Sequence, residues 1–121
     1  MGVKKTKAEV HAREVFHDYR FRSRIKNYFF DLTMEQLSKI IQKDCFYCAK
    51  PPAKSNSRRG KFRYNGLDRK NHNRGYTMDN VIPCCKECNG IRSNILTVEE
   101  MQVVARALKK YRSGAARTGK V

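Results

Sequence analysis

Apolar residues recur at helical spacing near both ends of the chain and alternate only in its middle. Residues 7 to 28 carry Val10, Phe16, Tyr19 and Ile25 between arginines, which predicts an amphipathic helix. Phe29, Phe30 and Leu32 then form an apolar connector toward the core. Thr33-Met34-Glu35-Gln36 is a capping box, in which the Thr and Gln side chains satisfy each other's backbone N–H groups. It opens a short helix with Leu37, Ile40 and Ile41 on one face. Pro51 to Gly60 reads as a polar, basic loop.

Lys61 to Arg69 alternates as a strand, with Phe62, Tyr64 and Leu67 inward. Asn71 to Asp79 has no periodicity and reads as a loop, and Val81-Ile82-Pro83 as a second short strand. A short helix from Cys85 carries Asn89 and Arg92. A second capping box, Thr97-Val98-Glu99-Glu100, opens a terminal helix through Tyr111 that buries Met101, Val104, Ala105 and Leu108. Ser113 to Val121 reads as a frayed basic tail.

Charge changes this picture from a generic small α+β domain to one with a polyanionic partner. The 121 residues include 27 Lys or Arg against 11 Asp or Glu, a formal charge of +16. Repulsion on that scale opposes a compact state, and binding a nucleic acid relieves it. Scattered lysines would be a merely solvated surface, but residues 50 to 75 hold nine basic side chains and one acid, Asp68. No apolar run approaches the roughly 20 residues that span a bilayer, and the start lacks the apolar stretch of a signal peptide. Membrane partners are therefore not expected. Five cysteines, an odd number, fit a reduced, metal-binding interior better than a disulfide framework.

Four of those cysteines form two knuckles, Cys45-Phe-Tyr-Cys48 and Cys85-Lys-Glu-Cys88, with 36 residues between them. A CxxC turn brings two sulfurs to one ion, and two such turns supply the four thiolates of a structural Zn²⁺. The rival is a set of buried free thiols. Cys84 competes with Cys85 for that place. With three residues between it and Cys88, against two in the other knuckle, it is read as a small buried residue behind the strand.

Gly66-Leu67-Asp68-Arg69, Gly75-Tyr76, Asp79-Asn80-Val81 and Cys85-x-x-Cys88-Asn89-x-x-Arg92 together closely resemble the HNH (His-Me finger) endonucleases. The likeness is to the zinc-bound type found in phage and mobile elements, and it extends over residues 10 to 111. It implies a zinc-stapled ββα-metal core at 45–96, a basic helical lead-in at 1–44, a C-terminal helix at 97–112 and a flexible tail at 113–121. The implied setting is the cytoplasm of a bacterium or a phage-infected host.

By this resemblance Asp68 and Asn89 hold a catalytic Mg²⁺ or Mn²⁺, since such hard cations take oxygen ligands and keep several waters. Asn80 pins the loop between the strands, and Arg92 holds a phosphate oxygen with its planar fork. Taken alone, Asp68 reads equally as a turn residue, Asn89 as helix surface and Arg92 as a solvated cation. One departure stands out: Arg69 occupies the place of the family's general-base histidine. A permanently protonated guanidinium takes no proton from water, so Arg69 is expected to contact phosphate instead. The base is then His72, whose ordinary pKa suits the task, or water activated by the cation, with Tyr64 and Tyr76 as weaker candidates.

Arg58, Arg59, Lys61, Arg63, Lys70 and Arg74 surround the first strand and are expected to contact phosphates without regard to sequence. Arg13, Arg20, Arg22 and Arg24 would extend that track. The resemblance implies a divalent-metal-dependent endonuclease or nickase acting on DNA, with RNA left open. The alternative is a zinc-stabilised, catalytically inactive nucleic-acid-binding module, which the Arg69 replacement favours.

Overall fold

In the computed structural model, which describes residues 7–55 and 62–114, four helices surround two small antiparallel ladders. Helix α1 (Lys7–Lys26) buries Ala12, Val15, Phe16, Tyr19 and Ser23 along one stripe. Val10 and Ile25, expected inward, are exposed. Ile25 is nine residues from Phe16, about half a turn round the helix, so the two cannot share a face. The helix ends where Asn27 adopts a left-handed φ of 61°. The Asn27 and Tyr28 N–H groups then donate to the Arg24 and Ser23 carbonyls, a Schellman stop.

Helix α2 (Met34–Ile41) carries the expected capping box at Thr33 and Gln36, and it packs Leu37, Ile40 and Ile41 against α1. The expected 61–69 strand is split. A short strand β1 (Lys54–Ser55), inside the stretch read as loop, pairs with β2 (Arg63–Tyr64), and β3 (Gly66–Arg69) starts after a break at Asn65. The break has a polar cause: the Asn65 N–H donates to the Ile41 carbonyl, and its Nδ2 donates to the carbonyls of Lys43 and Lys50. This residue therefore ties α2 and the first knuckle to the strand rather than continuing a ladder.

β3 pairs antiparallel with β4 (Val81–Cys84) in the register Gly66↔Cys84, Leu67↔Pro83, Asp68↔Ile82 and Arg69↔Val81. Helix α3 (Lys86–Arg92) follows at once, and α4 (Val98–Ser113), again with a capping box, packs back on α3. Met101 and Ala105 are buried on α4, with Val104 and Leu108 half-buried. Ser113 closes this helix instead of starting the tail, and 115–121 lie outside the described residues.

A further link joins the lead-in to the β3–β4 loop through a bridge between Phe30 and Tyr76. Gly75 is required there, because a Cβ would sit 2.1 Å from the Phe29 carbonyl oxygen. Among the described residues no helix is long and apolar enough to cross a membrane.

Candidate metal and nucleic-acid site

Cys45, Cys48, Cys85 and Cys88 bring their sulfurs within 4.8 Å of one another. Cys48 Sγ lies 3.7 Å from Cys85 Sγ, close to the edge of about 3.8 Å that a tetrahedron with Zn–S bonds of about 2.3 Å requires. The donor set and spacing fit a zinc ion. Each knuckle is a formed turn. In the first, the Ala49 N–H donates to the Cys45 carbonyl, and the Phe46 N–H donates 2.8 Å to Pro83 on β4. In the second, Cys85 caps α3, its sulfur accepting from the Cys88 N–H at 3.4 Å. Cys84 is buried outside this quartet, and its thiol beside Cys45 lowers the pKa of that ligand.

Asp68 and Arg69 are neighbours on β3 and so face opposite sides of the hairpin. The Asp68 carboxylate is buried toward the knuckle and α3. Tyr47 Oη donates to its Oδ2 at 2.9 Å, and Arg92 Nη1 donates to the same oxygen at 2.6 Å. Both bonds fall on Oδ2, which leaves Oδ1 without a protein donor among the described residues. Burial, then the charge of Asp68, raises the Tyr47 pKa, so the phenol stays a donor.

Arg92, expected to hold a phosphate oxygen, is not the solvated cation of the alternative reading but is engaged inside the protein. Its side chain is 2% exposed. Nη1 also donates to the Arg69 carbonyl at 2.7 Å, Nη2 to that of Lys70 at 2.6 Å, and Nε to that of Leu96 at 2.9 Å. Four of the five guanidinium hydrogens are thereby used, and one on Nη2 remains. The residue latches α3 and the segment after it onto the end of β3. Removing one partner of such a buried pair typically costs about 3–5 kcal/mol.

Arg69, expected to contact phosphate, is held by two rings and two loop carbonyls. Its guanidinium stacks 3.9 Å from the Tyr28 ring centroid and 5.6 Å from that of Tyr76. Its Nη1 donates to the carbonyls of His72 and Arg74. It clamps the 70–76 loop to the end of α1. Asn80 is buried and holds the same loop from inside, accepting from the Asn71 N–H and donating to the carbonyls of Asn71 and Gly75. Arg74 is paired with Asp79 at 2.9 Å, and Arg63 donates to the Ala53 carbonyl. Lys70 is exposed. Arg58, Arg59 and Lys61 lie outside the described residues.

His72 stands on the Asp68–Arg92 side. Burial, then the Arg92 and Arg69 charges, push its pKa below the ordinary 6.5, with Asp68 opposing. It lines an open cleft of about 770 Å³ with Lys70 and Arg92. Asn89 is exposed on α3, one turn before Ser93, whose left-handed φ of 48° swings the chain away toward α4. Tyr64 and Tyr76 go elsewhere. Tyr64 stacks on Phe62, Tyr76 packs on Phe30, Tyr19 and Arg69, and burial raises both pKa values. Tyr47 was missed by sequence reasoning. The available signal was an aromatic hydroxyl inside a knuckle that must face the strand carrying Asp68.

No family model matches the chain. An uncharacterized protein of Acanthamoeba polyphaga mimivirus is 33% identical over 82 residues, which is 68% of this chain and 14% of that protein. The chain thus spans a small part of the length of the curated relative it matches. Among solved structures, the rare-cutting HNH restriction endonuclease PacI superposes with a TM-score of 0.71 at 20% identity, covering 90% of this chain and 89% of its own. The fold is HNH-like.

Proposed function

We propose that the protein is a divalent-cation-dependent nuclease of the zinc-bound HNH type, hydrolysing phosphodiester bonds in DNA, with a structural Zn²⁺ on its four knuckle cysteines. The observation that carries this reading is the Asp68 carboxylate. It is buried, fixed through one oxygen by Tyr47 and Arg92, and left with its other oxygen uncommitted. Its partner Arg92 lines an open cleft together with Lys70 and His72.

Asp68 Oδ1 and the Asn89 side-chain oxygen would hold Mg²⁺ or Mn²⁺, which supplies charge against the scissile phosphate and the departing 3′ oxygen. His72 takes the proton of the attacking water on an imidazole nitrogen, which its lowered pKa keeps neutral near pH 7. Lys70 and the last Nη2 hydrogen of Arg92 hold the phosphate, while Arg69 and Asn80 position the loop that carries His72. The remaining cations supply salt-sensitive affinity.

The test is conversion of supercoiled plasmid by zinc-loaded protein with Mg²⁺ or Mn²⁺ and without either. Asp68→Asn is the control, because Asp68→Ala would strand Arg92 and risk unfolding. Cation-dependent nicking, lost in Asp68→Asn at unchanged circular dichroism, is the expected result. No nicking, with DNA still retarded in gels in a salt-dependent way, would replace the nuclease by the zinc-stabilised binding module.

A further inference from the structure

The cleft lined by Lys70, His72 and Arg92 is larger and chemically richer than a phosphate contact requires. At about 770 Å³ it falls among cavities of about 300–1,000 Å³ that take small organic ligands. We infer that it receives one unpaired nucleobase next to the scissile phosphate, which makes locally unpaired nucleic acid the preferred substrate. The inference rests on the nuclease reading above.

Its apolar walls are out of place for a solvent-facing surface. Phe46 is 44% exposed and Ile95 80% exposed, and both line the cleft. The Phe46 ring is presented rigidly. Its backbone is held by the knuckle and by the Pro83 carbonyl, and its ring stands edge-on to Tyr47 with centroids 5.2 Å apart. Tyr47 in turn bonds Asp68, so the ring is fixed relative to the candidate centre by two contacts. A rigid, exposed aromatic face is a stacking platform for a base.

The polar walls suit a base better than a phosphate. Asn73, Asn94 and Gln102 line the cleft, and their side-chain amides have no hydrogen-bond partner among the described residues. A carboxamide both donates and accepts, which matches the edge of a base but wastes its acceptor on an anion. Glu99 lies in the first turn of α4, on the same face as Gln102. A carboxylate there repels a sugar–phosphate track and accepts from an exocyclic amine. The cations of the cleft, Lys70 and Arg92, come instead from the end of β3 and from α3, where Arg92 bonds Asp68. Phosphate at one part and base at the other is the division these charges favour. A base still stacked in a duplex could not offer both its face to Phe46 and its pairing edge to the amides.

The experiment measures binding of fluorescein-labelled DNA by the full zinc-loaded chain, with no Mg²⁺ or Mn²⁺ added so that nothing is cut. Three probes are used: a single strand, a duplex with one unpaired extra base, and a matched duplex. Loss of one base–aromatic stack is worth about 1–3 kcal/mol, so Phe46→Ala should weaken binding about 5- to 150-fold. That loss should fall on probes with unpaired bases and leave the matched duplex within about twofold, with zinc content unchanged. Phe46→Tyr should restore it. Gln102→Ala, remote from the knuckle, should weaken the same probes and so guards against misfolding of the Phe46 variant. Loss on the single strand alone identifies that source of the base; loss on both identifies a base extruded from a duplex as well. Equal weakening of all three probes, or of none, overturns the inference. Because binding is read without cleavage, a protein that binds this way but never nicks would fail the nuclease reading and keep the cleft.

Discussion

The β3–β4 hairpin separates two interiors built of different materials. On the α1–α2 side the buried residues are aliphatic and aromatic, with Phe16, Leu37, Ile40, Ile41, Leu67 and Val81 in one cluster. On the α3–α4 side they are Cys45, Cys84, Cys85 and Cys88, with Met101 and Ala105 alone added in full burial. The first interior gains stability by removing apolar surface from water, which scales with area and needs no ligand. The second holds the Cys45, Cys48, Cys85 and Cys88 sulfurs, which must lose protons and then repel one another unless a cation joins them. Asp68 is reached from the thiol side, through Tyr47 and Arg92, while its neighbour Arg69 belongs to the aromatic side. The candidate centre therefore depends on the thiol-lined half for its geometry and on the apolar half for its foundation.

Stripping zinc should have the largest effect and divide the molecule along that line. Zinc contributes about 10–16 kcal/mol of apparent folding free energy in small finger peptides at neutral pH. Chelation, or Cys88→Ser, should abolish amide protection along α4 around Met101 and Ala105 while α1 and α2 keep theirs. Hydrogen exchange read by mass spectrometry checks this. Simultaneous loss of protection in all four helices would show one cooperative unit and end the two-interior view.

Leu37→Ala should act in the opposite sense. Leu37 is fully buried between α1 and α2, and deleting such a side chain costs about 2–5 kcal/mol, part of it for the cavity left behind. The thermal midpoint should fall, while zinc release to a colorimetric chelator at room temperature stays at its wild-type rate. Faster release would mean that the thiol side leans on the apolar side more than the packing suggests.

This difference in material also explains what could be read from the chain before its structure. Capping boxes at Thr33 and Thr97, paired CxxC spacings and the brief alternation before Arg69 are local signals, each contained within a few residues. They located α2, α4, the cysteine quartet and the hairpin. What stayed hidden depends on partners far along the chain. Asn65 looks like one more strand residue until the Ile41, Lys43 and Lys50 carbonyls are seen to converge on it. Arg92 looks like a surface cation until the carbonyls of Arg69, Lys70 and Leu96 enclose it. Arg69 could be recognised as a replacement for a histidine, but its stacking on Tyr28 depends on where α1 ends. The partners of charged side chains were least legible, because composition says how many there are and not which find buried acceptors.

The smallest predicted effect probes the seam itself. Tyr47→Phe removes one hydroxyl and keeps the ring that packs against Phe46. The bond lost is to a charged carboxylate, a class worth about 1.5–3 kcal/mol, and the half-buried position of Tyr47 argues for the lower end. Zinc content should not change, since the ring and the knuckle turn remain. What should change is the independence of Tyr47 and Asp68. If the hydroxyl acts through the carboxylate, combining Tyr47→Phe with Asp68→Asn in denaturant unfolding should give a total below the sum of the two single losses. Contacting groups usually couple by about 0.5–3 kcal/mol. Strict additivity would mean that the knuckle contributes zinc alone to this half, and that Arg92 by itself sets the orientation of Asp68.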